Sequence, residues 1–341
     1  MSAAVKPPPR ALFRDRTDAA ANTAVLVVTT AAWIGSFALM GASVGLVNVV
    51  GVLLCAQAMV LAAYLVHEAA HQTLFAMPSA NRRAGEVMSF IAGSSYASFE
   101  RIRQLHIRHH VDRADLVCFD FKALLRRHPV LRRVLEALEW AYIPATEILM
   151  HLQVVWRPFF VRSQRRHLPR AAGQLVLRGG LLLLLGLWSP RALIVYALAV
   201  LLELHVLNFF DAFHHTFDQF VLAPDDPLSM DGRDRTYEQA NTYSNLISHR
   251  HPWLNLLVLN FGYHNAHHHR PSAPWWRLPR LHQDLYGEAP AAVIPLGELL
   301  GTWHRNRVRR VSGEEYGARG SGRCRADSFV GAHGVSFLSV V

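Results

Sequence analysis

Four apolar stretches, each about as long as a bilayer core is thick, constrain this chain more than any other feature of its sequence. They cover about residues 23–40, 44–66, 172–188 and 191–210. A helix rises about 1.5 Å per residue, so roughly 20 apolar residues cross a hydrocarbon layer of about 30 Å. The third stretch, ending in "GGLLLLLGLW", is short and needs Leu175 and Leu177 to reach full span. Gly41-Ala42-Ser43 separates the first two and Ser189-Pro190 the last two. Each pair reads as a helical hairpin, and the chain as an all-α integral membrane protein with four transmembrane helices.

Charge orients these hairpins. Sixteen Lys or Arg lie between His67 and Gly173, whereas the two hairpin turns hold none but Arg191 at an edge. By the positive-inside rule the N-terminus, the C-terminus and the long middle loop face the cytoplasm. Residues 1–22, polar and Pro-rich, read as a cytoplasmic tail and residues 23–285 as the membrane domain. Residues 286–341 read as a C-terminal extension, largely disordered from about 305, where Arg, Gly and Ser dominate. The interrupted apolar segments 85–99 and 139–160 are expected at the interface, as parts of a helical cytoplasmic cap.

Composition removes several function classes. An apolar content of 51% with a net charge of +10 fits spans with basic flanks. The basic residues carry no DNA- or RNA-recognition motif, which argues against a nucleic-acid partner. Cys55, Cys118 and Cys324 lie far apart without C-x-x-C spacing, so neither a disulfide framework nor a cysteine zinc site is expected. Histidine is the outlier, with 20 residues against 25 acidic ones, and any chemistry is expected to run through imidazole.

The histidines fall into boxes. "HEAAH" contributes His67 and His71, "HIRHH" His106, His109 and His110, and "HNAHH" His264, His267 and His268. Positions i, i+3 and i+4 share a helix face, so each box is expected to present its imidazoles as one blade. At this histidine frequency H-x-x-H-H arises by chance roughly 0.07 times per chain, so two copies beside an H-x-x-x-H are not accidental. The first box begins where the second span ends, the second lies in the middle loop and the third follows the last span. All three can meet on one side of the bilayer.

HEAAH alone has the spelling of a zinc metalloprotease. Eight imidazoles, however, exceed the three or four ligands one zinc takes, and two ions sharing them suits iron. A ninth ligand is expected from "HVLNFFDAFHHTFD", where Asn208 and His215 share a helical face and His215 points toward the metals with Asn208 behind it. His214 and His205 compete for that place, His205 reading better as a hydrogen-bonded histidine inside the bundle. Glu68, Asp112, Asp115, Asp211 and Glu238 lie beside the boxes as candidates to fix ring orientation through the second imidazole nitrogen. His249 and His251 are at most supporting residues.

Taken together, the three boxes around two membrane hairpins resemble those of the membrane fatty acid desaturases, a superfamily that also holds hydroxylases, acetylenases and carotenoid ketolases. The resemblance covers about residues 40–285 and includes "FFDAFHHTFD", "YEQANTYSN" and "NFGYHNAHHHRPSAPWWRLPRLH". It implies two non-haem iron ions held by His67, His71, His106, His109, His110, His215, His264, His267 and His268. It implies O2 as co-substrate and removal of two hydrogens from a fatty acyl lipid or acyl thioester. The three-residue gap in the first box is similar to that of acyl-lipid-type members, and the third box begins with His264 in place of Gln. No H-P-G-G signature of a fused electron carrier is present, so an external donor such as ferredoxin with its reductase is implied. Sister hydroxylase, acetylenase or ketolase chemistry is the alternative, and an intramembrane zinc metalloprotease using HEAAH the distant one. A dry apolar slot near the boxes, with Trp275 and Trp276 at the interface, is expected to hold the acyl chain.

Overall fold

A computed structural model describes residues 11–217, 220–222, 232–287, 293–313, 326 and 328–332. The first hairpin is α1 (Arg16–Met40) and α2 (Gly45–Ala70). α1 starts before its apolar run because Asp15 caps it, accepting the Asp18 N–H at 2.8 Å. The last carbonyls of a helix have no partner within the helix. The Asn48 side-chain amide supplies one at this turn, reaching the carbonyls of Leu39, Met40 and Ala42 at 2.9–3.0 Å.

The middle loop folds into α3 (Pro78–Ile91), α4 (Phe99–Asp112), the short strand β1 (Asp115–Val117), α5 (Phe121–Arg127), α6 (Pro129–Trp140) and α7 (Ala145–Phe160). The second hairpin is α8 (Leu168–Trp188) and α9 (Pro190–Asp211). α8 takes in Leu175 and Leu177 as expected, and begins still earlier, with Pro169 in its first turn. Ser189 caps α9 by accepting the Ala192 N–H at 3.1 Å. These four helices are long and apolar enough to cross a membrane. Val27, Ile34, Leu183 and Leu187 stand exposed on their outer faces, as lipid contact requires.

α2 is the central helix and packs on α1, α3, α4 and α9. Ala62, Ala63, Leu65, Val66, Ala69 and Ala70 are all fully buried along it. Small residues let backbones approach closely where lipid provides no hydrophobic drive for helix association. The C-terminal ends of α2 and α9 come together at one end of the bundle.

The rest of the chain covers that end. β2 (Phe220–Leu222) pairs in parallel with β1, Asp115 opposite Phe220 and Val117 opposite Leu222. Then follow α10 (Arg235–Ala240), α11 (His264–His269), α12 (Leu278–Tyr286), α13 (Leu296–Asn306) and α14 (Arg309–Ser312). Helix thus continues to Ser312, into the stretch expected to be disordered from about 305, while residues 314–325, 327 and 333–341 of that stretch lie outside the described residues.

A C-terminal strip returns to the bundle. Phe329 meets Phe213 edge-on with centroids 5.3 Å apart, Thr302 donates to the Phe329 carbonyl at 2.9 Å, and the Ala332 N–H donates to Ala212 at 3.0 Å. Gly331 sits in the left-handed region (φ +85°) with no room for a side chain, since a Cβ would lie 2.9 Å from the Phe213 ring and 3.0 Å from the Ala212 carbonyl oxygen.

Candidate metal centre

Each histidine box is placed by a different kind of local structure. His67 lies in the last turn of α2 and His71 is its C-cap, after which Gln72 takes a left-handed conformation (φ 59°) that ends the helix. His106, His109 and His110 occupy the last two turns of α4, which Arg113 terminates in the same way (φ 47°). α11 is a six-residue helix made almost wholly of the third box. His215 follows α9 and forms an isolated bridge with Thr242.

These elements bring all nine expected histidines into two groups. The nitrogens of His67, His71, His106, His110 and His267 lie within 4.8 Å of one another, and so do those of His109, His215, His264 and His268. In the first group Nε2 atoms face each other at 3.1 Å (His67 and His267), 2.7 Å (His71 and His106) and 3.2 Å (His110 with His106 and with His267). In the second, His215 Nε2 stands 3.1 Å from His109 and 2.9 Å from His264.

The grouping corrects the expectation that each box acts as one blade. His106 and His110, one turn apart, join the first group, whereas His109 turns to the second. The third box does the reverse, with His264 and His268 in the second group and His267 in the first. Neighbours i+3 and i+4 differ by about 100° around a helix, enough to aim at two points when the points flank the helix.

Burial and mutual repulsion keep the rings neutral. Burial first, then neighbouring imidazoles, hold His71, His106, His110, His215, His264 and His267 well below the ordinary histidine value. His109 is pushed down to about 3, chiefly by burial. Neutral imidazole is the form that ligates a metal.

Second nitrogens fix three of the four rings of the second group. His109 Nδ1 meets the Ala114 carbonyl at 2.8 Å, and His215 Nδ1 meets Thr242 Oγ1 at 3.3 Å. Thr242 in turn donates to the Glu238 carbonyl at 2.7 Å. His268 Nδ1 donates to Glu238 Oε1 at 2.9 Å, and its Nε2 is buried without a hydrogen-bond partner. An orphaned lone pair aimed among three other ring nitrogens fits a metal ion. Burial pushes the Glu238 carboxyl up, but the bond from His268 and the pairing with Arg113 at 3.1 Å outweigh it and hold it below its usual value.

The other candidate carboxylates divide. Asp115 lies 3.8 Å from His109 Nδ1 and is pushed by burial up to about 7. Glu68 stands 3.5 Å from His67 Nδ1 but accepts from Thr73 Oγ1 at 2.6 Å and from the Trp275 N–H at 3.0 Å. Asp112 is paired with Arg108 at 2.6 Å instead of with a box histidine. Sequence reasoning missed Thr242 and the Ala114 carbonyl, which carry no local signature.

His205 donates to the Tyr142 carbonyl at 2.6 Å, the structural role expected of it. His214 stacks on His264 at 3.9 Å between centroids yet belongs to neither group. His249 and His251 are exposed on a loop. Trp275 and Trp276 pin α1 by donating to Asn22 at 3.0 Å and Asp18 at 3.2 Å, so they clamp a helix end where a slot wall was expected.

Two cavities flank the end of α9. A small one of about 60 Å³ touches His106, His109, His214, His215 and His264, with Asp211 in its wall. A large one of about 630 Å³ runs among α1, α2, α7, α8 and α9 and reaches Asn208. Asn208 and Asp211, one turn apart on α9, thus stand on the two cavities in succession.

Fold and site define an all-helical membrane protein with two convergent histidine clusters capping one end of its spans, each able to hold a metal ion. The family model described as fatty acid desaturase matches residues 45–299, and the chain belongs to that family. The chain is also similar to the sphingolipid delta(4)-desaturase of Candida albicans, with 25% identity over 275 residues, 74% of this chain and 68% of the relative. It is accordingly a desaturase or a relative of one, an oxidoreductase of lipid metabolism.

Proposed function

We propose that the chain is a membrane-bound, O2-dependent di-iron desaturase that introduces a double bond into a fatty acyl chain. The observation that carries this reading is the division of nine histidines, six buried and three half-buried, into groups of five and four. Two nitrogens each about 2.1 Å from an ion stand about 3.0 Å apart at a right angle and about 3.4 Å apart at a tetrahedral one. The facing nitrogens, at 2.7–3.2 Å, are close enough for each group to share one ion, and an imidazole-rich donor set would suit iron. Glu68 is held by Thr73 and the Trp275 N–H, which argues against its serving as a protease base.

When bound, the iron pair supplies O2 activation and abstraction of hydrogen from an unactivated C–H bond. The reaction balances as loss of two hydrogens from the chain and reduction of O2 to two waters, with two electrons and two protons delivered from outside. Ferredoxin with its reductase is the class of donor that fits, and an acyl lipid or acyl thioester the substrate. The protein's part is to hold the chain still and exclude water, which the large cavity beside Asn208 does with a mainly apolar wall. His109, His215 and His268 are kept in ligating orientation by Ala114, Thr242 and Glu238. The sixteen Lys or Arg of the middle loop support a cytoplasmic site and termini by the positive-inside rule.

The test is lipid mass profiling of cells making this chain beside a His268→Ala control. A two-dalton loss in an acyl species, seen only with the intact chain, is expected. A sixteen-dalton gain would move the protein to the sister hydroxylases.

A further inference from the structure

Gln57 is a polar residue on the outer face of a membrane-crossing helix. Val49, Val50 and Leu53 stand exposed on α2, and Gln57 follows Leu53 by one turn on the same face. Its side-chain amide donates to the Leu257 carbonyl at 2.7 Å. Gln57 comes ten residues before His67 and six after Gly51, which packs on Met40 at the other end of the hairpin. At about 1.5 Å per residue, the bond lies about 15 Å from the level of the first histidine box and about 9 Å from Gly51. That is well inside a hydrocarbon layer of about 30 Å.

Leu257 belongs to a short 3-10 helix, Pro252–Val258, that leads toward the third box. Irregular backbone survives at such a depth only where the protein itself meets its polar groups. Two side-chain amides do so here. Gln57 serves Leu257, and the fully buried Asn255 accepts from the Ile247 N–H at 2.8 Å and donates to the carbonyls of Ser248 at 2.9 Å and Pro252 at 3.1 Å. The outward side of the segment is apolar, with Trp253, Leu256 and Leu257 exposed by 66%, 46% and 45%. The residues leading into it, His249, Arg250 and His251, are exposed and polar, and His249 lies near His282 of α12 in the cap. An apolar tip beside the middle of α2 with a basic collar at the cap follows the polarity of a bilayer from core to headgroups. Just beyond the segment, the Phe261 ring centre lies 4.5 Å from that of Tyr64, 4.8 Å from His67 and 4.9 Å from His264.

We propose that residues 252–258 form a re-entrant segment, a further lipid-embedded element beside the four crossing helices, which seats the third histidine box against α2. Its partner is the acyl chains of the leaflet on the histidine side, and Gln57 is its anchor. This placement depends on the crossing helices and not on the reaction, so it stands or falls apart from the desaturase reading. A water-facing loop and an interface with a second copy of the chain are the competing arrangements.

Spin-label accessibility in the full-length protein, reconstituted in phosphatidylcholine vesicles, tests this without turnover. Nitroxides are placed on Leu256→Cys and Leu257→Cys, each in a chain carrying Cys118→Ser and Cys324→Ser, Cys55 being fully buried. Leu183→Cys, on the outer face of α8, sets the lipid standard, and Glu100→Cys, exposed at the start of α4, sets the water standard. O2 partitions into the bilayer, whereas a water-soluble nickel chelate stays outside. Labels at 256 and 257 are expected to meet O2 and to lose contact with the chelate to the same extent as Leu183→Cys. Chelate contact at the level of Glu100→Cys would make the segment a water-facing loop, and shielding from both reagents would make it a protein interface; either overturns the proposal. Gln57→Leu leaves the Leu257 carbonyl unmet at depth and is expected to raise chelate contact at Leu257→Cys while Leu183→Cys stays unchanged. No rise at Leu257→Cys overturns the anchoring role of Gln57.

Discussion

Replacing Glu238 with Gln separates the two histidine clusters functionally. Glu238 accepts from His268 Nδ1 at 2.9 Å and pairs with Arg113 at 3.1 Å, and its carboxyl is 5% exposed with the rest of the residue. Gln keeps an acceptor for His268 but loses the negative charge that both partners use. A hydrogen bond to a charged group contributes about 1.5–3 kcal/mol, and removing a partner that orients a ligating ring weakens metal binding by about 10- to 100-fold. The loss should fall on one ion only. His268 belongs to the group of four, whereas His67, His71, His106, His110 and His267 form the other group; of these His110 comes within 4.8 Å of the carboxyl, but the hydrogen bond to it comes from His268. Titrating the purified, metal-loaded protein with a chelator should show one ion released at about 10- to 100-fold lower chelator concentration than in the parent, the second unchanged. If both ions shift together, or neither does, the division into two centres with Glu238 supporting one is wrong.

Two further outcomes follow from features away from the centre. Burial, then the neighbouring His249 imidazole, pushes His282 down to about 4, and the residue is 6% exposed. The unfolded chain, with the ordinary histidine value near 6.5, therefore binds the proton first as pH falls, so this stability is present above that value and lost toward pH 4; His282→Phe should remove about 2 kcal/mol of the loss between pH 7 and pH 5 in thermal melting, and an unchanged pH slope would refute it. Gly331→Ala puts a Cβ 2.9 Å from the Phe213 ring in a left-handed backbone position and should cost about 1–3 kcal/mol; a melting temperature equal to the parent's would show that the strip does not bind as described.

The spans and the boxes were legible because their signals are local. A run of apolar residues or an H-x-x-H-H needs only its own neighbours to be read. α1 shows the limit, since Asp15 and the tryptophans at 275 and 276 draw helix into a stretch that reads as a polar tail. The choice among carboxylates was illegible for a related reason. Asp112 is two residues from His110 yet pairs with Arg108, while Glu238 is 30 residues from His268 and holds its ring. Chain proximity says little about which way a side chain leaves a helix. The sorting of His109 from His110 and of His267 from His268 likewise depends on where α4 and α11 sit between two foci, a tertiary fact.

The C-terminal strip sets an order of assembly. Ala332 bonds to Ala212, and Phe329 packs on Phe213, immediately before His214 and His215. During synthesis the four crossing helices and the first two boxes are available long before this support reaches the ribosome's exit. His215 therefore has its full backing only when residues 329–332 are in place, and the cluster it shares with His109, His264 and His268 depends on that strip where the other does not include His215. A chain cut before residue 326 is expected to keep its five-histidine group and to hold its four-histidine group less firmly, since only the second includes His215.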